Sequence, residues 1–262
     1  MNGNAPCLGV VIPTWNAKED LSFTLDHFAR LPDRIKSNME IVISDGASTD
    51  GTLEVAASFM DLIGHVDSRP DNGVYDAMNR GANLLCAPWV WFMGAGDIPG
   101  EEALDILLQV LLGSSREEMH AFNVRGREPL EPGVPRVFTP QWGTVLHWRN
   151  TMHHQGLIAP TAWVLEHPLP TMYRVLGDYA WCLDRLRDGA HLTCHDAPAL
   201  AAVQSGGLSR SFTPSLYLEE WKVKWQRIPK GAMAAHLIWL PMKWAFKLMS
   251  SARAMFGSST PQ

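Results

Sequence analysis

With 262 residues, 46% of them hydrophobic, and a formal net charge of −5 at pH 7, the chain suits one large domain or a compact domain with an appendage. The acidic balance offers no basic surface for nucleic acid, and no stretch reaches the ~20 consecutive apolar residues that a membrane span needs. Four cysteines without C-x-x-C spacing, mostly inside apolar runs, are each expected as a buried reduced thiol. With no basic-then-apolar leader, that points to the cytoplasm.

Residues 8–13 read as a buried strand. Asn16 followed by Glu19 has the spacing of an N-cap and its capping-box partner, opening a helix with Leu21, Leu25 and Phe28 on its apolar face. Residues 39–44 form a second strand ending at Asp45, residues 52–60 a helix and residues 62–68 a third strand. The spacing of Val74, Met78, Ala82 and Leu85 predicts a helix over 74–85. A fourth strand over 89–93 stops at Gly94-Ala-Gly-Asp97, and a helix follows over 101–112. This alternation predicts an α/β fold, mostly parallel, with helices on both faces and right-handed crossovers. After about residue 115 the alternation fades. Residues 119–126 and 134–138 read as strands of a mixed region, 142–156 as a loop rich in His, Trp and Arg, and 177–187 as a helix opened by Gly177-Asp178. Further helices cover 216–227 and 233–256.

Two acidic loops follow two of these strands: Asp45-Gly-Ala-Ser-Thr-Asp-Gly-Thr52 and Asp71-Asn-Gly-Val-Tyr-Asp-Ala-Met-Asn79. Both fall at the carboxyl edge of the sheet, where open α/β sheets bind nucleotides. A base and ribose need in-plane acceptors and close backbone approach. The turn Pro13-Thr14-Trp15-Asn16 offers backbone groups with Trp15 at the pocket wall, Asp45 can accept from a base N–H, and Gly46 lets the chain come close. The same residue types suit a plain helix-initiating turn; the second acidic loop favours binding. No G-x-G-x-x-G follows the first strand, which disfavours dinucleotide oxidoreduction. A basic glycine-rich phosphate loop for nucleotidyl transfer is missing there too.

Val10-Val-Ile-Pro-Thr-Trp-Asn16, Ser44-Asp-Gly-Ala-Ser-Thr-Asp-Gly-Thr52, Asp71-Asn-Gly-Val-Tyr-Asp-Ala-Met-Asn-Arg80 and Gly94-Ala-Gly-Asp97, in this order, resemble the motifs of family 2 glycosyltransferases. Those are inverting enzymes of the GT-A fold, among them bacterial surface-polysaccharide enzymes. The likeness is strong over residues 8–110 and weaker through Gly156 and residues 177–181. It implies a nucleoside-diphosphate-sugar donor held by Pro13, Thr14, Trp15, Asn16, Asp45, Gly46 and Ser48 on one side. Asp71, Asn72, Gly73, Asp76, Asn79 and Arg80 would serve the other, Asp76 at the ribose and donor sugar and Arg80 near the diphosphate. Asp76 and Arg80 also have the i,i+4 spacing of a surface ion pair.

By the same resemblance, Gly96 and Asp97 stand where the family presents acids to a divalent cation, Mg²⁺ or Mn²⁺, that neutralises the leaving diphosphate. Here the chain departs from the pattern, since Ala95 takes the place of a second acid and leaves Asp97 alone; a strand-end cap is the other reading. Asp178 falls where the family's general base is expected, and a single in-line displacement needs one carboxylate to take the acceptor's proton. Asp is also a favoured N-cap, and Gly177 replaces the Glu often seen before it. His154 and Gln155 would hydrogen-bond acceptor hydroxyls or the diphosphate. Residues 205–209, Ser-Gly-Gly-Leu-Ser, are a loop over the donor or a linker, and His191 and His195 are read as structural. No Gln-x-x-Arg-Trp motif of processive synthases is visible, which favours transfer of a single sugar.

These readings give a catalytic domain over 1–210, with a nucleotide-sugar half over 8–115 and an acceptor half over 116–210, and a basic helical tail over 211–262. From Trp221 to Gln262 there are seven Lys and Arg and no Asp or Glu. On a helical wheel His236, Lys243, Lys247 and Ser250 share one face and Ile238, Ala245, Met249, Ala252 and Phe256 the other, with Pro241 predicted to kink the helix. Such a helix, with Trp239 and Trp244, suits the interface of an anionic bilayer at the inner membrane face, or packing on the body. Membrane contact would make a lipid-linked glycan the natural acceptor.

Overall fold

The computed structural model describes residues 5–130, 135–204 and 213–256, with only the backbone of Lys243 and of residues 246–256. Seven strands form the main sheet: β1 (Leu8–Thr14), β2 (Met39–Asp45), β3 (Ile63–Ser68), β4 (Trp89–Phe92), β6 (Glu118–Ala121), β9 (Leu157–Pro160) and β10 (His191–Cys194). Their order is β10-β6-β9-β4-β1-β2-β3. Pairs β1/β2, β1/β4 and β2/β3 are parallel, as the alternation predicts, while β9 runs antiparallel between β4 and β6. The second sheet, β5-β11-β7-β8, joins β5 (Ile98–Pro99), β7 (Val124–Gly126), β8 (Val137–Phe138) and β11 (Ala201–Val203).

Alternation along β1 explains the two-sided core. Val10 and Ile12 point to one face, where α1 (Lys18–Ala29) buries Leu21, Leu25 and Phe28 and α5 (Glu101–Gly113) buries Leu104 and Leu107. Val11 points to the other, against Val42 and against Tyr75 and Met78 of α4 (Val74–Ala82). Burial of each such side chain is worth about 1.5–3 kcal/mol. The short helices α2 (Asp33–Lys36) and α3 (Thr52–Ser58) complete the crossovers.

Several boundaries differ from the sequence expectation. Asn16 is not an N-cap: α1 begins at Lys18 without a side-chain cap, and Asn16, at φ 47°, receives the Thr49 N–H on its carboxamide oxygen. The single strand expected over 119–126 is two, because the chain leaves the main sheet after β6 and enters the small sheet at β7. The loop over 142–156 contains α6 (Val145–Trp148) and a 3₁₀ turn at His154–Gly156; α7 (Thr161–Glu166) follows β9, and α8 (Gly177–Arg187) begins where expected. Thiol burial holds only for Cys182; Cys86 and Cys194 are exposed, and all four are unpaired. Loop 205–209 lies outside the described residues.

The tail folds as α9 (Pro214–Arg227) and α10 (Lys230–Phe256), and its inward face is not the one the wheel selects. Met233, His236, Leu240 and Trp244, spaced three and four apart, are buried, whereas Leu237, Ile238, Trp239 and Met242 are exposed. His236 packs its ring 4.7 Å from that of Trp148, so it faces the body instead of a polar surface. Lys224 is fully enclosed, its Nζ donating to the Trp148 carbonyl at 2.8 Å and lying 3.2 Å from Glu220, which also accepts from the Trp244 indole. Arg227 pairs with Asp184 of α8 at 2.9 Å. Lys224 and Arg227 are therefore engaged with the body, and Lys222 lies over the Tyr173 ring. Among the described residues, no helix is long and apolar enough to cross a membrane.

Candidate active site

The carboxyl ends of β1, β2 and β3 open into a cleft of about 770 Å³ lined by Pro13, Thr14, Trp15, Gly46, Asp71, Asn72 and Gly73, and closed on the far side by Thr171, Met172, Tyr173 and Arg174. Trp15 is 70% exposed at its mouth. A Cβ on Gly46 would meet Asp71 Oδ2 at 2.6 Å and Trp15 Cδ1 at 3.2 Å, so the cleft floor requires glycine there.

Asp45 does not face this cleft. It is fully buried and its carboxylate accepts from the Thr14 hydroxyl, the Ser48 N–H and hydroxyl, and the Ser68 hydroxyl. Burial pushes its pKa up, but those four bonds outweigh it and hold the group below the usual range. Asp45 therefore organises the loop, and the Ser48 hydroxyl also receives the Asn16 N–H. Asp71 is the acid left at the cleft wall, with Oδ1 accepting the Gly73 N–H.

Asp76, Asn79 and Arg80, further along the second motif, are bonded to groups of the protein. Asp76 accepts from the Asn72 backbone and carboxamide. Asn79 exchanges two hydrogen bonds with the Leu169 backbone, tying the far wall to α4. Arg80 donates to the Arg69 and Asp45 carbonyls and lies 3.7 Å from Asp67 and 3.9 Å from Asp71. Its guanidinium braces the two acidic loops, and Asp76 is not its partner.

Asp97 is only 4% exposed, and its oxygens accept from the Gly94 N–H (3.1 Å), the Gln155 amide (3.0 Å) and the Gln204 N–H (3.1 Å). Burial raises its pKa despite these bonds and the charge of His154. Gly96 gives its N–H to the Thr24 hydroxyl and its carbonyl to Arg127, whose guanidinium lies over Phe23. One carboxylate already holding three N–H donors does not fit a preformed Mg²⁺ or Mn²⁺ site, and no group of three metal-ligating side chains occurs among the described residues. A buried carboxylate has to be saturated, and here it ties the β4–β5 turn to β11 and to the 3₁₀ turn.

That 3₁₀ turn connects the two acids the sequence singles out. Gln155 holds Asp97, and its neighbour His154 places Nδ1 3.3 Å from Asp178 Oδ2. Asp178, in the first turn of α8, also has Oδ1 2.7 Å from the Tyr179 N–H and 3.1 Å from the Tyr75 hydroxyl. Burial pushes its pKa up, but the His154 bond and charge, the Tyr179 N–H and the Tyr75 hydroxyl outweigh it, leaving a carboxylate below the usual range. Tyr75 itself is raised well above its ordinary value, by burial and then by the Asp178 charge, so its hydroxyl keeps its proton. A Cβ on Gly177 would lie 2.6 Å from the Tyr75 ring. The glycine that replaces the family's Glu is what lets this ring in.

The Glycosyl transferase family 2 sequence profile matches residues 9–115. A PGL/p-HBAD biosynthesis glycosyltransferase of Mycobacterium bovis (strain BCG / Pasteur 1173P2) is 41% identical over 225 residues, covering 82% of this chain and 84% of that one. The chain belongs to glycosyltransferase family 2. Its fold agrees: TarS 1–349 of S. aureus, solved in complex with UDP-GlcNAc, superposes with a TM-score of 0.65 at 15% identity, over 82% of this chain and 65% of that chain. The mannosyltransferase PcManGT of Pyrobaculum calidifontis, solved with GDP-Man and Mn²⁺, gives 0.63 at 17% identity over 99% and 77%. This family 2 glycosyltransferase thus has the GT-A fold. Of the residues about its site, sequence reasoning missed Tyr75, Gln204 and the wall 171–174. Tyr75 lies inside a quoted motif but has no role assigned there; the others carry no local signal.

Proposed function

We propose that the enzyme transfers one sugar, with inversion, from a nucleoside diphosphate to an acceptor hydroxyl, with Asp178 as general base. The observation that carries this is the ionised Asp178 carboxylate, held by His154 and Tyr75 at the start of α8, where the cleft wall 171–174 runs into that helix. The acceptor O–H gives its proton to Asp178 as its oxygen bonds to the anomeric carbon, and the bond to the diphosphate breaks on the opposite face. His154 keeps Oδ2 aimed, and Trp15 and Asp71 at the cleft wall meet the base and ribose. Donor identity in the solved neighbours, UDP-GlcNAc for TarS and GDP-Man for PcManGT, supports the donor class.

A divalent cation accompanies the donor in PcManGT. In this chain Asp97 would have to release its N–H partners to take part, so no step above runs through a metal. Glycolipid assembly is the setting that the mycobacterial relative's name supports. We take 1–210 as the catalytic body and 211–262 as a tail resting on an anionic membrane at its cytoplasmic face. Exposed Leu218, Trp225, Leu237, Ile238, Trp239 and Met242, beside exposed Lys222 and Lys230, support that contact.

Thermal shifts with UDP, GDP, dTDP and CMP, each with and without Mn²⁺, test the donor. Selective stabilisation by one nucleoside diphosphate is expected; no stabilisation by any would overturn the donor reading, and a gain that requires Mn²⁺ would restore the metal to the site. For the tail, replacing Leu237, Ile238 and Met242 by Ser should abolish binding to vesicles containing anionic lipid. Undiminished binding would remove the membrane from the scheme.

A further inference from the structure

Glu219, on the tail helix α9, reaches back to the catalytic segment. Its Oε1 accepts the N–H groups of Val175 (2.8 Å) and Leu176 (2.6 Å), and its Oε2 accepts that of Arg174 (3.2 Å). These three donors lie in the irregular stretch between the donor-cleft wall and α8, where no strand or helix ladder serves them. A single carboxylate therefore fixes three successive peptide units immediately before Asp178. Tyr173, at the other end of the stretch, is also held from α9: its hydroxyl lies 2.7 Å from Gln226 Oε1 and accepts from Arg227 Nη1 at 2.7 Å.

The stretch leads directly to the acid. Val175 gives its N–H to Glu219 and offers its carbonyl to the Tyr75 hydroxyl at 2.6 Å, and that same hydroxyl lies 3.1 Å from Asp178 Oδ1. The two acceptors share the single proton of that hydroxyl, so a shift of the Val175 peptide would change the bond that the Asp178 carboxylate receives. On the other side, Arg174 and Tyr173 line the cleft.

We propose that Glu219 is a positioning residue for the transfer, acting through residues 174–176 to hold Asp178 in register, so that the tail completes the active site. The proposal rests on the reading of Asp178 as the base. It acts on the chemical step more than on donor affinity, because the base is displaced while Trp15, Gly46 and Asp71 remain in place and Tyr173 keeps its own bonds to Gln226 and Arg227.

The full chain is tested with UDP-glucose, UDP-galactose, UDP-GlcNAc and GDP-mannose in turn, reading nucleotide release, and the sugar nucleotide that wild type turns over is used for the variants. Glu219→Ala should lower kcat by about tenfold to hundredfold, the scale of a sub-ångström to 1 Å misplacement, while KM for the donor changes by less than about threefold on the same reasoning. Glu219→Gln, which keeps the carbonyl oxygen for Val175 and Leu176 and loses only the Arg174 bond, should recover a large part of kcat. Hydrogen–deuterium exchange should quicken at amides 174–180 in the Ala variant and much less in the Gln variant. Turnover of Glu219→Ala within twofold of wild type, exchange unchanged at 174–180, or an equal loss in both variants would overturn the proposal. Failure of the base reading looks different: Asp178→Asn would then turn over as wild type does, whatever Glu219 does to exchange.

Discussion

The acids at the β1–β3 edge and those around the 3₁₀ turn are held in different ways. On the donor side, Asp45 takes its partners from its own loop and from the flanking strands β1 and β3, Asp71 from a glycine two residues on, and Asp76 from Asn72. On the acceptor side, Asp97 is held by Gln155 and Gln204, and Asp178 by His154 and Tyr75, from elements far apart in the chain. Neighbouring strands of a parallel sheet cannot easily drift apart, so the donor edge is a rigid shelf. The acceptor edge is assembled from turns and helix ends that meet only when both sheets and α4 are in place. Perturbations should therefore couple fold to catalysis on the acceptor side far more than on the donor side.

The largest expected effect is on Asp178, the proposed general base. Asp178→Asn should lower kcat by about 10²–10⁴, the usual contribution of a general base, with nucleotide-induced thermal shifts retained; steady-state turnover beside a UDP or GDP titration checks it. Next, Asp97→Ala takes the acceptor from three N–H groups, on half-buried Gly94 and Gln155 and on exposed Gln204, at about 1–3 kcal/mol for each that water does not reach. It should lower unfolding stability by several kcal/mol in urea, and a loss below about 1 kcal/mol would dissolve the contrast between the two edges. Gly177→Ala, with its Cβ driven into the Tyr75 ring, should cost about 1–3 kcal/mol. Its activity loss should exceed what that stability change explains, since Tyr75 also touches Asp178.

The smallest effect is on the donor side and depends on pH. Asp45 has a folded pKa below its unperturbed value of 3.8. The stability it contributes is present above that value and is lost as pH falls through the depressed folded pKa. Asp45→Asn should therefore show a flatter dependence of stability on pH below 4 than wild type, measured by urea unfolding. A steeper one would mean that the buried carboxylate is not the charged partner of its four donors.

How much was legible in the sequence follows the same divide. The four parallel strands, the helices between them and the cleft-lining turn at 13–16 announce themselves by period and by local turn residues. Strand β9 has no such signal: Leu157-Ile-Ala-Pro160 is short and apolar, and its antiparallel place between β4 and β6 is decided by pairing across the chain. Asp45 and Asp97 stand out in the sequence as candidate donor and metal ligands, but residue type alone does not say whether a carboxylate faces a ligand or is consumed by hydrogen-bond donors of the protein. The tail shows the limit most plainly. The wheel of α10 gives two faces, and only its neighbours, Trp148 of the body and Glu220 of α9, select the one carrying His236 and Trp244 as the inner one.

Lys224 sets how α9 lies on the body. With 3.6 residues per turn, sliding α9 by one position rolls it by about 100°. That would carry the ammonium, together with its helix neighbour Glu220, away from the Trp148 carbonyl. The Lys224–Trp148 bond thus works as a keyway: it adds little to net stability, but it permits one rotation of α9, and so decides which rows of tryptophan and leucine look outward.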